Sequence, residues 1–176
     1  MSTATVLHVT GQPLAQEFDD LFREHSAMVY RTAFSVTGCA EDAEDVLQTL
    51  FLWLLRRGIP TGLKENPKAY LYRAAVNLSL NAVKTRRRQI LTGDPARFET
   101  AIEPHASSAA EEAQDRLVQA IAQLGRRSVE MLILRYEHNY SDAEIGKLLG
   151  TSRGVIAVTL HRARARLKKL LRGDTP

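Results

Sequence analysis

The sequence predicts an all-α protein: two small helical domains joined by a flexible acidic linker, the second of them a helix-turn-helix. Three observations carry this. Apolar residues recur at spacings of three and four through most of the chain, the signature of helices with one buried stripe. No run alternates apolar and polar residues between turn signals as a strand would. Midway, composition shifts to prolines, serines, alanines and acids, then returns to helical periodicity.

A first helix is expected from about Ala15 to Val36, with Phe18, Leu21, Phe22, Met28, Val29 and Ala33 on its stripe and Gly38 as its stop. A second is expected from Glu41 to Arg57. Its first turns hold Glu41, Asp42, Glu44 and Asp45, its last turn Arg56 and Arg57, and Gly58 follows, an order that suits the helix dipole at both ends. The segment GIPTGLKENP reads as a loop by its Gly and Pro content. A third helix opens at Asn66-Pro67, where Asn can cap and Pro suits the first helical position. Leu71, Ala75, Leu78 and Ala82 form its stripe, and Lys84, Arg86, Arg87 and Arg88 close it. These three helices can enclose one core, giving a domain over residues 15–90 behind an N-terminal tail of residues 1–14.

Residues 91–113 read as the acidic linker, carrying Asp94, Glu99, Glu103, Glu111 and Glu112. Helical order resumes near Ser108-x-x-Glu111, a capping box, and continues with Leu117, Val118, Ile121 and Leu124. A short helix from Ser128 to His138 follows, and Ser141-x-x-Glu144 opens another with Ile145, Leu148 and Leu149 facing inward. Gly150 ends it, Thr151-Ser152 turn the chain, and a last helix begins. Helix, short Gly-containing turn, helix is the helix-turn-helix pattern, placed in a domain over residues 114–172.

The chain has 176 residues, 44% of them hydrophobic, and a net charge of +4. That is enough apolar material for a sizeable core. A lone cysteine, Cys39, excludes an internal disulfide, and the five histidines share no ligand spacing. No phosphate-binding glycine loop follows a strand, so neither a cofactor nor enzymatic activity is expected. The N-terminus lacks a secretory leader's basic and apolar regions, and the longest apolar run, Leu50 to Leu55, is too short to span a bilayer. A cytoplasmic protein without membrane insertion or a small-molecule substrate is expected.

Charge is uneven. From Gln114 onward Lys and Arg outnumber Asp and Glu by twelve to six, so the basic face belongs to the second domain. At about 100° per residue, Ile156, Leu160, Ala163, Leu167 and Leu170 share the buried seam of the last helix. Gly154, Val155, Val158, Arg162 and Arg166 turn outward, and the outward valines are either partner contacts, methyl-reading groups or stray surface residues. On the third helix Tyr70, Tyr72 and Arg73, with Asn77 and Asn81, offer stacking and amide groups of the kind that hold unpaired bases. The alternative is that both tyrosines pack against the first helix. EDAEDVLQTLFLWLL is acidic at one end and too densely apolar at the other to be wholly buried, which points to a protein partner.

Two segments, FDDLFREHSAMVYRTAFSVTGCAEDAEDVLQTLF with NPKAYLYRAAVNLSLNAVKTRRR, together resemble the first domain of extracytoplasmic-function (group IV) RNA polymerase sigma factors. LVQAIAQLGRRSVEMLILRYEHNYSDAEIGKLLGTSRGVIAVTLHRARARLKKLL resembles their promoter-reading second domain. The resemblance implies that Asp42, Glu44, Asp45, Val46, Gln48 and Phe51 grip the β′ clamp helices of core RNA polymerase, and that the second domain meets the β flap. It implies that Tyr70, Tyr72, Arg73, Asn77, Asn81, Lys84, Arg86 and Arg87 handle the −10 element of promoter DNA, with the loop Gly58 to Glu65 capturing a flipped base. It assigns the −35 element to Arg153, Gly154, Val155, Val158, Thr159, Arg162 and Arg166, and adds an anti-sigma factor as a partner. The chain departs from the family pattern at Thr49, Trp53, Leu55 and Asn81. It departs most at GVIAVTLHRAR, where polar groups common at the start of the recognition helix are replaced. Two other readings remain: a sigma mimic or sequestering adaptor that binds an anti-sigma partner, and a stand-alone helix-turn-helix regulator.

Overall fold

The computed structural model describes residues 12–92 and 108–173, with side chains placed over 16–90 and 108–173. Most of the predicted tail and most of the predicted linker lie outside the described residues; residues 12–14, expected in the tail, belong to the first helix. The described residues form eight helices: α1 (Gln12–Thr37), α2 (Ala40–Arg57), α3 (Thr61–Glu65), α4 (Pro67–Thr92), α5 (Ala109–Ala122), α6 (Arg126–Tyr136), α7 (Asp142–Leu149) and α8 (Arg153–Arg172). Among them there is no strand, and no helix is long and apolar enough to cross a membrane.

Helices α1, α2 and α4 pack as a three-helix unit. The turn between α1 and α2 needs Gly38, whose φ of 66° is a left-handed conformation that side chains rarely tolerate. Glu41 and Asp42 lie in the first turn of α2, Arg56 and Arg57 in its last, and Gly58 caps its end with φ 80°. The Asn66 carboxamide oxygen accepts the amide of Ala69 at 3.0 Å, so α4 starts where Asn-Pro predicts. The expectation of a continuous loop between α2 and α4 is corrected here: Thr61–Glu65 form one helical turn. Leu63 explains it, because its wholly buried side chain anchors the turn to the core.

The second unit follows its capping signals. Ser108 with Glu111 and Ser141 with Glu144 both form reciprocal capping boxes. Glu144 is held below the usual carboxylate range by hydrogen bonds from the Ser141 hydroxyl and amide. Gly150 ends α7 in a left-handed conformation, and the Ser152 hydroxyl caps α8 by accepting the Val155 amide at 3.3 Å. Both ends of the predicted linker are helical: α4 runs on to Thr92 and α5 begins at Ala109.

The two units are packed against each other. Helix α4 lies on α5 and α6, and α1 touches the same pair. Buried residues of both units, from Val29, Leu54 and Leu71 to Met131, Ile145 and Ile156, belong to one contiguous apolar cluster.

Candidate nucleic-acid interface

Helix α4 positions its groups on two opposite faces. Tyr70, Arg73, Asn77, Asn81 and Lys84 follow one another at spacings of three and four and share a stripe. Tyr72 and Arg86 fall on the other side. Along the stripe, Tyr70, Arg73 and Asn77 line a cavity of about 630 Å³ together with Glu65 and Asn66. Its far wall is the second unit, contributed by Lys147, Leu148 and Gly150. Arg73 closes the gap directly, donating from Nη2 to the Leu149 carbonyl at 2.9 Å. Asn81, Lys84 and Arg87 are exposed.

Tyr72 is fully buried, and its hydroxyl donates to the Glu130 carbonyl of α6. Burial pushes the phenol well above its ordinary range, and the Glu130 carboxylate adds to that. Glu130 itself is raised by burial, opposed by the positive charges of Arg126, Arg73 and Arg127. In this arrangement Tyr72 does not reach a bound strand. Arg86 is likewise occupied, pairing from Nη1 with Asp42 at 2.8 Å and donating from Nη2 to the Thr37 carbonyl at 3.3 Å.

The α2 groups also divide by face. Glu44, Asp45 and Gln48 are exposed, whereas Asp42, Val46 and Phe51 are buried. Phe51 meets the ring edges of Phe18 and Phe22, with centroids 6.0 and 4.8 Å away. Beyond them Leu52, Trp53 and Leu55 stand 48%, 38% and 60% exposed, an apolar strip beside an acidic end.

Helix α8 meets its brace α7 at a close crossing. A Cβ on Gly146 would lie 2.7 Å from the Thr151 carbonyl oxygen, so only glycine lets the turn pass there. Ile156, Leu160 and Ala163 are buried on the seam. Arg153, Gly154, Val155, Val158, Arg162 and Arg166 are exposed, and Thr159 is half-buried. Val155 and Val158 stand 45% and 50% exposed at the outer end of the helix. A second, largely apolar concavity of about 580 Å³ lies between α5, α6 and α8, floored by Leu117, Ile121 and Leu132 and rimmed by Arg164 and Lys168.

Sequence reasoning missed the residues that join the units: Glu130, His138, Lys147 and Leu149. Only the turn of α4 carried a signal, since Tyr72 lies two residues from Tyr70 and therefore on another face.

Two segments of the chain match known protein families. Residues 21–89 match the family model described as Sigma-70 region 2, and residues 114–167 match that of Sigma-70, region 4. The ECF RNA polymerase sigma factor SigL of Mycobacterium tuberculosis is 30% identical over 148 residues, covering 81% of this chain and 82% of SigL. The RNA polymerase sigma-E factor of Streptomyces antibioticus is 29% identical over 158 residues, 88% of this chain and 84% of that protein. Among solved structures, the sigma factor RpoE of Bartonella quintana, determined with the anti-sigma factor NepR, shares the fold with a TM-score of 0.52 at 24% identity, covering 91% of this chain and 99% of RpoE. CnrH, determined with the cytosolic domain of CnrY, aligns with a TM-score of 0.53 at 21% identity, covering 92% of this chain and 91% of CnrH.

Proposed function

Because this chain belongs to the extracytoplasmic-function family of RNA polymerase sigma factors, we propose that it is a dissociable initiation factor. It binds core polymerase, brings it to a subset of promoters and nucleates melting, working in the cytoplasm and leaving covalent chemistry to the polymerase. Residues 15–90 are read as the unit for core and −10 binding, 114–172 as the unit for −35 binding, and 91–113 as their connection.

The observation that carries this reading is the pairing, in one chain, of an acidic and apolar α2 surface with a braced basic helix α8. Glu44, Asp45 and Gln48, with exposed Leu52, Trp53 and Leu55, are assigned to the β′ clamp helices. Asp42, Val46 and Phe51 support that surface from within. Tyr70, Arg73, Asn77 and Asn81 are assigned to the opened strand, by stacking and amide contacts, and Lys84 and Arg87 to its phosphates. On α8, Arg153, Arg162 and Arg166 would hold duplex phosphates, while Val155 and Val158 present methyl groups suited to thymine. The apolar groove rimmed by Arg164 and Lys168 is assigned to the β flap. An anti-sigma factor, as is named with RpoE of Bartonella quintana, is proposed as a further partner.

Co-elution of the purified chain with core polymerase at low salt, followed by run-off transcription from a mapped promoter, tests the reading. Absence of core binding would sink it. Tight binding of duplex DNA by the free chain would instead favour a stand-alone regulator.

A further inference from the structure

The start of α8 turns an apolar face to solvent. On the outward side of its first two turns stand Gly154, Val155 and Val158, all exposed, the valines to 45% and 50%. None of these side chains can donate or accept a hydrogen bond. The polar neighbours lie elsewhere. At about 100° per residue, Thr159 falls about 100° and Arg153 about 140° round the helix from Val158, and Thr159 is also half-buried. Ser152 caps the helix, its oxygen accepting the Val155 amide at 3.3 Å. The first hydrogen-bonding side chains on the outward face are His161 and Arg162, about 4.5–6 Å further along the axis from Val158. A recognition helix meets base edges with its N-terminal residues, so those two stand nearer the rim of the groove.

Two features fix this face. Ile156 and Leu160 are buried on the seam, which sets the rotation of the helix and holds the valines outward. Gly154 has open space where a side chain would stand, an added Cβ meeting only the Ser152 hydroxyl at 4.0 Å. The backbone can therefore approach a base pair closely there, bringing both valines onto the base edges.

In the major groove each base pair displays donors and acceptors, and thymine alone of the four bases adds a C5 methyl group. Valine can match only the methyl. Exchanging the O4 acceptor of thymine for the N4 donor of cytosine passes unread at such a contact. 5-Methylcytosine carries the same methyl on the same ring carbon, and in a duplex it projects into the same part of the groove.

We propose that the start of α8 reads the C5 methyl of pyrimidines and not their hydrogen-bonding edges, so that thymine and 5-methylcytosine serve it equally. Cytosine methylation within a bound site then raises the affinity of this protein for it. The inference deepens the thymine contact assigned above and rests on the −35 reading of α8 for its place in transcription; in itself it needs only that α8 enters a major groove.

The site is first selected from random-sequence duplexes with the full chain bound to core polymerase, and fluorescence anisotropy then measures affinity for four versions of it. At each thymine of the selected −35 element in turn, the duplex carries thymine, deoxyuracil, 5-methylcytosine or cytosine, the last two paired with guanine. Deoxyuracil removes the methyl and keeps every donor and acceptor. 5-Methylcytosine keeps the methyl and exchanges them. At the positions read, thymine and 5-methylcytosine are expected to bind alike, and deoxyuracil and cytosine about fourfold more weakly, the value of burying one methyl group. Val155→Ala and Val158→Ala, exposed positions where alanine suits a helix, are each expected to bring one position's ratio toward one with circular dichroism unchanged. Deoxyuracil equal to thymine at every position would overturn the proposal, and so would 5-methylcytosine binding as weakly as cytosine. Ratios that neither valine variant moves would overturn it as well. Failure of the chain to bind core polymerase would instead sink the initiation-factor reading. The same selection and duplexes, put to the full chain alone, then decide: the same order and the same loss in the valine variants support the methyl readout, and their absence overturns it.

Discussion

Arg86 and Arg87 are neighbours in a run of basic residues, yet the fold gives them opposite work. Arg86 ties three helices: it pairs with Asp42 at the start of α2 and donates to the Thr37 carbonyl at the end of α1. Removing it leaves Asp42 buried without its cation, and an uncompensated buried charge is costly. Arg86→Met is therefore expected to lower stability by about 1–3 kcal/mol, read from urea unfolding, discounted because the pair is partly in water. Arg87 is exposed, and Arg87→Met is expected to change stability by less than about 0.5 kcal/mol. Its effect should appear instead as weaker promoter binding with a shallower salt dependence. The reverse pattern would exchange the two assignments. The distinction was partly legible in the sequence. One residue along a helix is a turn of about 100°, so a basic run can present only some of its charges to one ligand. What the sequence did not show is that Asp42, the partner of Arg86, sits 44 positions away on another helix.

At the scale of elements, α7 and α8 were the most legible part of the chain, because each end is written in local chemistry. Ser141 with Glu144, Gly150 and Ser152 set three successive boundaries, and all three function as caps. The short helix α3 was hidden because its helical character comes from burying Leu63 against distant residues, not from its own Gly- and Pro-rich composition. Two glycines in the helix-turn-helix yield contrasting expectations. Gly146→Ala forces a methyl to 2.7 Å from the Thr151 carbonyl, so a loss of about 1–3 kcal/mol is expected in thermal unfolding. Gly154 is helical and open, its added Cβ meeting only the Ser152 hydroxyl at 4.0 Å. Gly154→Ala is expected to raise stability by about 0.4–1 kcal/mol through the unfolded chain. Nearby, Val158→Asp should leave fold and core binding intact and abolish transcription that depends on the −35 element. Normal transcription by that variant would show that this face stays out of the groove.

The arrangement of the whole molecule was the least legible feature. The contacts that join the units are polar and span 58, 76 and 106 positions, between Tyr72 and Glu130, Arg73 and Leu149, and Thr32 and His138. No periodicity encodes such pairs, and an acidic stretch between two helical units reads equally well whether they pack or separate. One apolar cluster runs through both units and couples them. Calorimetry at about pH 8, where His138 is neutral, is therefore expected to show a single transition whose calorimetric and van't Hoff enthalpies agree. Two resolved transitions would mean that the units melt independently and that the shared cluster adds little. Tyr72→Phe refines the test, since it keeps the buried ring and removes only the hydroxyl that bonds Glu130. The Glu130 carbonyl lies within α6, where the backbone already offers it a partner, so the expected loss is the net value of one hydrogen bond, about 1 kcal/mol. For a chain of this size that lowers the midpoint by about 2–4 °C. If the seam couples the units, the variant's single peak should also broaden toward two, because the lost bond belongs to neither core alone. A midpoint shift with an unchanged two-state ratio would assign the coupling to the apolar cluster and leave Tyr72 as one more packed ring.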